Sequence, residues 1–335
     1  MKKVSLIIPC RNEINFIKGF FESINNQDYP KDLIEIIISD GMSDDGTFEY
    51  LKGLKNLNFI LIQNKDLYVS PALNKAISIS TGDFIIRLDI HCEFPSNYIS
   101  SLVSYLEDKP HVGNVGLPCE TLPAQPNLLS SAIAMSASSK IGVGTSSFRI
   151  GGGDKVLSVD TVPFGCWRKE IFNEIGYFDT ELIRNQDDEF NQRILKANYK
   201  IHLLPGNRIK YFARPDLKSH FKMFYQYGLF KPLVNKKIGK ITTWRQLAPP
   251  ALIVLLFCNI FLYFLIPILS INIFLIVLVM YLTLSMIYQP KPGLRFLKIY
   301  PLFVICIIGM HAAYGLGYLK GIFFKPLSKS FSSSR

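Results

Sequence analysis

The chain has 335 residues, 49% of them hydrophobic, and a formal net charge of +11. No Asp, Glu, Lys or Arg occurs from Ala248 to Tyr288, a membrane signature that rules out a wholly soluble protein, and six cysteines without C-x-x-C spacing argue against a zinc site or disulfide framework. Much of the basic excess lies between Arg208 and Arg245, just before the apolar region, so it suits anionic lipid headgroups and not nucleic acid.

The start of the chain reaches Pro9 and Arg11 too soon for a signal-peptide core, which predicts that the N-terminus stays in the cytosol. Strand-like and helix-like stretches then alternate: strands at 4–8, 34–39, 58–62 and 84–88, with helices near 15–26, 46–55 and 70–80. This alternation predicts an α/β fold built on a parallel sheet with helices on both faces. Ligands in such sheets bind beyond the carboxyl ends of the strands. The polar residues there, Pro9 to Glu13, Asp40 to Asp45, Asn64 to Asp66 and Asp89 to Glu93, are expected to form one cleft.

Residues 113–162 are less regular, and Gly142-Val143-Gly144 and Gly151-Gly152-Gly153 predict a flexible loop that could close over that cleft. Helices are expected at 169–175 and 187–198. From Leu217 to Leu233 aromatic and basic residues interleave, which predicts a helix lying on the membrane surface. Three apolar stretches follow, at about 249–269, 271–288 and 300–319, each close to the ~20 residues a bilayer needs. Two crossings return Lys291, Arg295 and Lys298 to the cytosol. A third puts Lys320, Lys325, Lys329 and Arg335 outside, against the positive-inside tendency, so the third stretch either re-enters the membrane or breaks the rule. Gly309, His311, Gly315 and Gly317 make it atypical for a lipid-facing helix.

The strongest local chemical pattern is Arg87-Leu88-Asp89-Ile90-His91, where a carboxylate and an imidazole follow an apolar strand two residues apart. Both ligate divalent cations; Mg²⁺ prefers oxygen and uses substrate phosphates, whereas Mn²⁺ accepts imidazole more readily. An Asp-x-His pair alone is a common pattern, and its meaning comes from an ordered series around it. Pro9-Cys10-Arg11-Asn12-Glu13 ends the first strand, Asp40-Gly41-Met42-Ser43-Asp44-Asp45-Gly46-Thr47 the second, and Ala72-Leu73-Asn74-Lys75-Ala76 with Thr81-Gly82-Asp83 leads into the fourth. Farther on come Val159 to Cys166 and Asn185-Gln186-Asp187-Asp188-Glu189, the last opening a helix.

From Lys3 to about Ala197 the order and spacing of these motifs resemble family 2 glycosyltransferases of the GT-A fold, and within them the succinoglycan-type exopolysaccharide enzymes, which carry Asp-x-His and a Gly-Val-Gly loop. The resemblance implies a nucleotide-sugar site. In it Pro9, Glu13 and Asp40 shape the nucleoside pocket, Asn74 and Arg87 hold nucleotide and diphosphate, and Asp89 with His91 binds Mn²⁺ or Mg²⁺. Asp40 and Asp44 also read independently as caps of a turn and helix. The family's base motif maps to Gln186, Asp187 and Glu189, which makes Asp187 the expected base, with Asp188 beside it as the other candidate. His220 is read as an interfacial histidine more than as a further metal ligand. The Gln-x-x-Arg-Trp of processive members is missing near Phe224 to Gly228, which favours transfer of a single sugar.

The expected organisation is a catalytic domain at 1–207, a basic amphipathic connector at 208–247, a membrane region at 248–320 and a polar basic tail at 321–335. The expected reaction moves one hexose from a UDP-sugar to a lipid-linked saccharide by inversion. It would take place at the cytoplasmic face of the inner membrane, with membrane lipids and glycan-assembly proteins as partners. The rival expectations are a processive synthase and a non-catalytic scaffold that kept a nucleotide pocket.

Overall fold

The computed structural model describes residues 1–54, 58–151, 153–289, 294–324 and 326. The expected alternation is present. β1 (Val4–Cys10), α1 (Ile17–Asn25), β2 (Ile34–Asp40), α2 (Thr47–Gly53), β3 (Ile60–Gln63), α3 (Val69–Ile79) and β4 (Phe84–Arg87) follow in order. The run continues through β5 (Cys92–Glu93), α4 (Tyr98–Glu107), β6 (Val112–Gly116), β7 (Cys119–Leu122), α5 (Leu128–Ser136), α6 (Lys140–Val143) and α7 (Ser147–Ile150). Next come β8 (Leu157–Ser158), β9 (Cys166–Arg168), α8 (Lys169–Ile175), α9 (Gln186–Lys196), β10 (Lys200–Leu203) and β11 (Ile209–Phe212). Four helices complete the chain: α10 (Leu217–Ile238), α11 (Ala248–Leu265), α12 (Pro267–Ile287) and α13 (Leu294–Phe323).

The main sheet has the order β3-β2-β1-β4-β9-β6-β10-β8. Its first four strands are parallel, as the alternation up to Asp89 predicts; beyond them β9 runs antiparallel between β4 and β6, and β8 antiparallel to β10, so the whole sheet is mixed. The reason is topological: β9 comes from the segment after α7 and inserts between strands already laid down, a long-range pairing that local periodicity does not report. A second sheet, β5-β11-β7, lies beside the end of β4. The Thr81-Gly82-Asp83 turn before β4 fixes the start of the sheet. A Cβ at Gly82 would stand 2.6 Å from the Ser5 backbone nitrogen, and Asp83 accepts a hydrogen bond of 3.0 Å from the Lys3 amide.

Apolar side chains on the two faces of the sheet form separate cores, one with Leu6, Phe20 and Leu102, the other with Ile7, Trp167 and Phe190. This is the alternation of a strand buried on both sides. Residues 113–162 are more ordered than expected: they hold β6 to β8 and three helices, with Ser139 capping α6 through the Gly142 amide at 3.1 Å. Gly152, the expected helix end at Lys55, and most of the tail (Lys325 and 327–335) fall outside the described residues, as does Lys291.

The expectation for 217–233 needs correction. α10 buries Met223, Leu229, Phe230, Leu233 and Val234 against protein, so its apolar face does not lie on lipid. Periodicity locates an apolar face without saying what covers it. His220 is likewise fully buried and not interfacial. Its Nε2 lies 3.4 Å from Ser136 Oγ, and burial, reinforced by Arg149 and Arg214, lowers its pKa to about 4.

Candidate active site

The ends of β1, β2 and β4 converge as expected. After β1 the chain turns at Asn12, which has φ 56° and is locked to the β2 turn: its side chain donates to Asp44 at 2.7 Å and accepts from the Asp44 amide at 3.0 Å. Asn tolerates this left-handed conformation better than most residues. The Glu13 amide donates to Thr47 Oγ1 at 2.9 Å, so the two motifs fold as one unit. After β4 the chain turns, the Cys92 amide donating to the Asp89 carbonyl at 3.1 Å, which leaves Leu88 and Ile90 in the core and Asp89 and His91 on the cavity wall.

Arg87, 4% exposed, is the hinge pin of the site. Its Nε and Nη2 donate to the two oxygens of Asp89 at 3.0 and 3.1 Å, and its Nη1 donates to Asp187 on the first turn of α9. One planar fork thus holds the β4 carboxylate and the α9 carboxylate together. Burial opposes the charge on Arg87, yet Asp187 and Asp89 outweigh it and raise its pKa, so it stays a cation. Burial also raises the pKa of Asp187, to about 6; Arg87 pulls it down, while Asp89 and Asp188 push it up.

His91 Nδ1 lies 3.0 Å from Glu13 Oε1, and its ring meets the edge of Tyr211 at 5.4 Å. A carboxylate only accepts hydrogen bonds, so Nδ1 carries the proton, and in the neutral ring of that tautomer Nε2 would be the ligand atom for a metal. Asp89 keeps lone pairs beyond the two used by Arg87. Among the described residues no three His, Cys, Asp or Glu side chains gather into a metal group. The pair therefore fits a cation that takes its remaining ligands from substrate phosphates and water, as Mg²⁺ and Mn²⁺ do at diphosphate sites.

The remaining expected residues divide. Pro9, Glu13, Arg87, Asp89, His91, Asp187 and Asp188 all line one cavity of about 1130 Å³. Asp40 and Asn74 do not. The Asp40 carboxylate is fully buried and taken by the Ser43 amide at 3.0 Å and hydroxyl at 2.5 Å, which is the turn-capping duty. Asn74 exchanges two hydrogen bonds with the Phe178 backbone, at 2.8 and 3.0 Å, tying α3 to the segment before α9. Asp188 pairs with Lys231 of α10.

Other residues in the cavity wall carried no site assignment in the sequence. Arg11 lines the cavity beside Gly41, and its Nε and Nη1 have no hydrogen-bond partner among the described residues. Arg214 and Lys231, which the sequence placed among lipid-facing bases, also face the cavity. Arg149 lies over the Tyr211 ring at 5.7 Å. The α6 segment forms part of the wall and is anchored from outside the domain: His311 of α13 approaches the Gly142 carbonyl at 3.4 Å, and Arg245 donates to Thr145 at 3.0 Å. The cavity then continues past Pro249, Leu252 and Leu255 of α11 and Tyr281 and Leu284 of α12. One chamber therefore runs from Asp89 and Asp187 to the apolar helices.

Comparison with known proteins agrees with this architecture. The family profile described as glycosyl transferase family 2 matches residues 5–119. A dolichyl N-acetyl-alpha-D-glucosaminyl phosphate 3-beta-D-2,3-diacetamido-2,3-dideoxy-beta-D-glucuronosyltransferase of Methanococcus voltae is 31% identical over 249 residues, 71% of this chain and 75% of that one. Succinoglycan biosynthesis protein ExoA of Rhizobium meliloti is 27% identical over 73% of this chain and 74% of its own. Among solved structures, the mannosyltransferase PcManGT of Pyrobaculum calidifontis has the same fold, with a TM-score of 0.61 at 18% identity over 97% of this chain and 88% of that one.

Proposed function

The chain belongs to glycosyl transferase family 2, and from that premise we propose that it is an inverting, non-processive hexosyltransferase that moves one sugar from a UDP-sugar to a lipid-linked saccharide in surface-glycan synthesis. The observation that carries this reading is the single chamber joining Asp89 and Asp187 to α11 and α12. A nucleotide-sugar site needs only the polar half. A wall of membrane helices is useful when the acceptor itself is confined to the bilayer. The name of the Methanococcus voltae relative fits, since it describes a dolichyl-linked sugar phosphate as the substrate.

In this reading Asp89 and His91 hold a divalent cation, with Glu13 fixing the His91 ring. When bound, the cation neutralises charge on the departing nucleoside diphosphate. Arg87 sets the distance between that centre and the base and keeps both carboxylates in place. Asp187 takes the proton of the acceptor hydroxyl while that oxygen bonds to the anomeric carbon from the face opposite the diphosphate. One bond forms, the carbon–oxygen bond to the diphosphate breaks, and the configuration inverts without a covalent enzyme intermediate. A carboxyl with its pKa near 6 remains ionised at neutral pH yet is a stronger base than an exposed Asp. Asp188, held by Lys231, is left to position α9 against α10.

Detergent-solubilised protein incubated with UDP- and GDP-sugars and a membrane lipid extract tests the reading. One labelled lipid from one UDP-sugar, extended by a single residue, is expected. A long polymer, or labelling from GDP-sugars alone, would overturn the non-processive or the UDP assignment respectively.

A further inference from the structure

Among the described residues three helical stretches are long and apolar enough to cross a membrane, Trp244–Leu265, Pro267–Ile287 and Phe296–Phe323, but they are not alike. In the first two only 11% and 17% of the apolar window is buried, against 39% in the third. α11 and α12 form a hairpin clasped near its turn by Asn259 and Ser270, which exchange side-chain-to-carbonyl hydrogen bonds of 3.1 and 3.0 Å.

α13 is placed differently. Tyr300 donates to the Leu282 carbonyl at 2.8 Å, and His311 meets the Tyr281 hydroxyl at 2.9 Å. Tyr300 and His311 are roughly 16 Å apart along α13, whereas their partners are neighbours on α12. α13 therefore crosses the end of α12 instead of running beside it. Its long contact is with α10. A Cβ at Gly317 would stand 2.2 Å from the Tyr225 carbonyl and one at Gly321 2.3 Å from that of Leu229, so the two helices run parallel with backbones touching. The opposite side of α10 is fastened to the catalytic domain through Arg184–Gln226, Asn185–Tyr227 and Lys237–Asp179. Nearer its start α13 shares a core with Ala132 and Ile133 of α5. Its exposed apolar residues Leu297, Ile305, Ile308, Leu316 and Phe323 fall on one stripe, with the exposed Lys298 and Lys320 along one border of it.

We propose that α13 lies in the plane of the membrane interface, its stripe on lipid and its other face under the catalytic domain, so that the chain crosses the bilayer twice. The inference rests on the membrane-bound reading above. It places Lys320 on the same side as Lys236, Lys237 and the catalytic domain, which removes the conflict with the positive-inside tendency that three crossings create. It also sets the end of the chamber lined by Pro249 of α11 and Leu284 of α12 at interface level, where a lipid headgroup can meet it without leaving the membrane plane.

The test uses the full chain with Cys258→Ser and single cysteines introduced as Lys18→Cys, Ile268→Cys or Lys320→Cys, labelled with a membrane-impermeant maleimide in sealed vesicles of each orientation. Lys320→Cys and Lys18→Cys should label from one side and Ile268→Cys from the other; Lys320→Cys labelling together with Ile268→Cys overturns the proposal. Fluorophores at Leu297→Cys, Ile305→Cys and Leu316→Cys should be quenched alike by lipids carrying quenchers at a single depth. A graded series, as a spanning or re-entrant helix gives, also overturns it. Neither readout depends on sugar transfer, so an inactive protein with this topology would sink only the enzymatic reading.

Discussion

The two walls of the chamber are built in opposite ways. The donor wall comes from turns at the ends of β1, β2 and β4, all within the first 95 residues, and is closed by hydrogen bonds from Asn12 to Ser43 and Asp44 and from the Glu13 amide to Thr47. The facing wall is assembled from α6, α9, α10 and the apolar helices, by contacts such as Asp188–Lys231, 43 residues apart, and His311–Gly142, 169 apart. A local wall can be conserved as a motif and read from one sequence; a wall made of distant segments leaves only scattered single residues. Chemistry is expected to depend on the first wall and on Asp187, and acceptor choice on the second.

The sharpest way to break that division is at its seam. Asp187→Asn and Asp89→Ala should each lower kcat by about 10²–10⁴-fold in a transfer assay while far-ultraviolet circular dichroism stays native. In the wild type, kcat/KM should fall as the pH drops through about 6, because Asp187 must be ionised to act as the base; a profile flat down to pH 5 would remove it from that role.

Next in size, Glu13→Gln should weaken metal activation about 10–100-fold, because Glu13 fixes the His91 tautomer; titration of activity with Mn²⁺ reads this directly. On the facing wall, Leu252→Trp should raise KM for the lipid-linked acceptor several-fold and leave metal-dependent hydrolysis of the donor unchanged. An equal loss in both assays would show that the walls are not separable. Smallest on activity, Gly317→Val should act through stability. The added atoms meet the Tyr225 carbonyl, and a loss of about 1–3 kcal/mol should appear as a lower melting temperature in detergent.

The same division explains how far the sequence could be read. β1 to β4, the Asp89–His91 pair and the opening of α9 lie where motif and periodicity place them, because each is specified by residues within a few positions of one another. Asp40 and Asn74 belong to the same motifs, yet their polar groups face inward: Asp40 caps its turn through Ser43, as its position in the turn also allowed, whereas the Asn74 contact with Phe178, 104 residues on, is one that no spacing reports. Arg214 and Lys231 looked like lipid-facing bases because charge alone does not tell a bilayer from a cavity wall, where Lys231 pairs with Asp188. The glycines at 315, 317 and 321 mark backbone contact with α10 and α11, and Gly309 makes room for the Phe221 ring of α10, meanings visible only once those partners are in place.

The most direct test of the central claim is the anomeric configuration of the transferred sugar, read by NMR on product formed from an α-linked nucleotide-sugar by wild-type protein and by Asp187→Asn. A β-linked product from the wild type, and none from Asp187→Asn, is the predicted result. An α-linked product, or undiminished transfer by Asp187→Asn, would contradict a single displacement driven by that carboxylate.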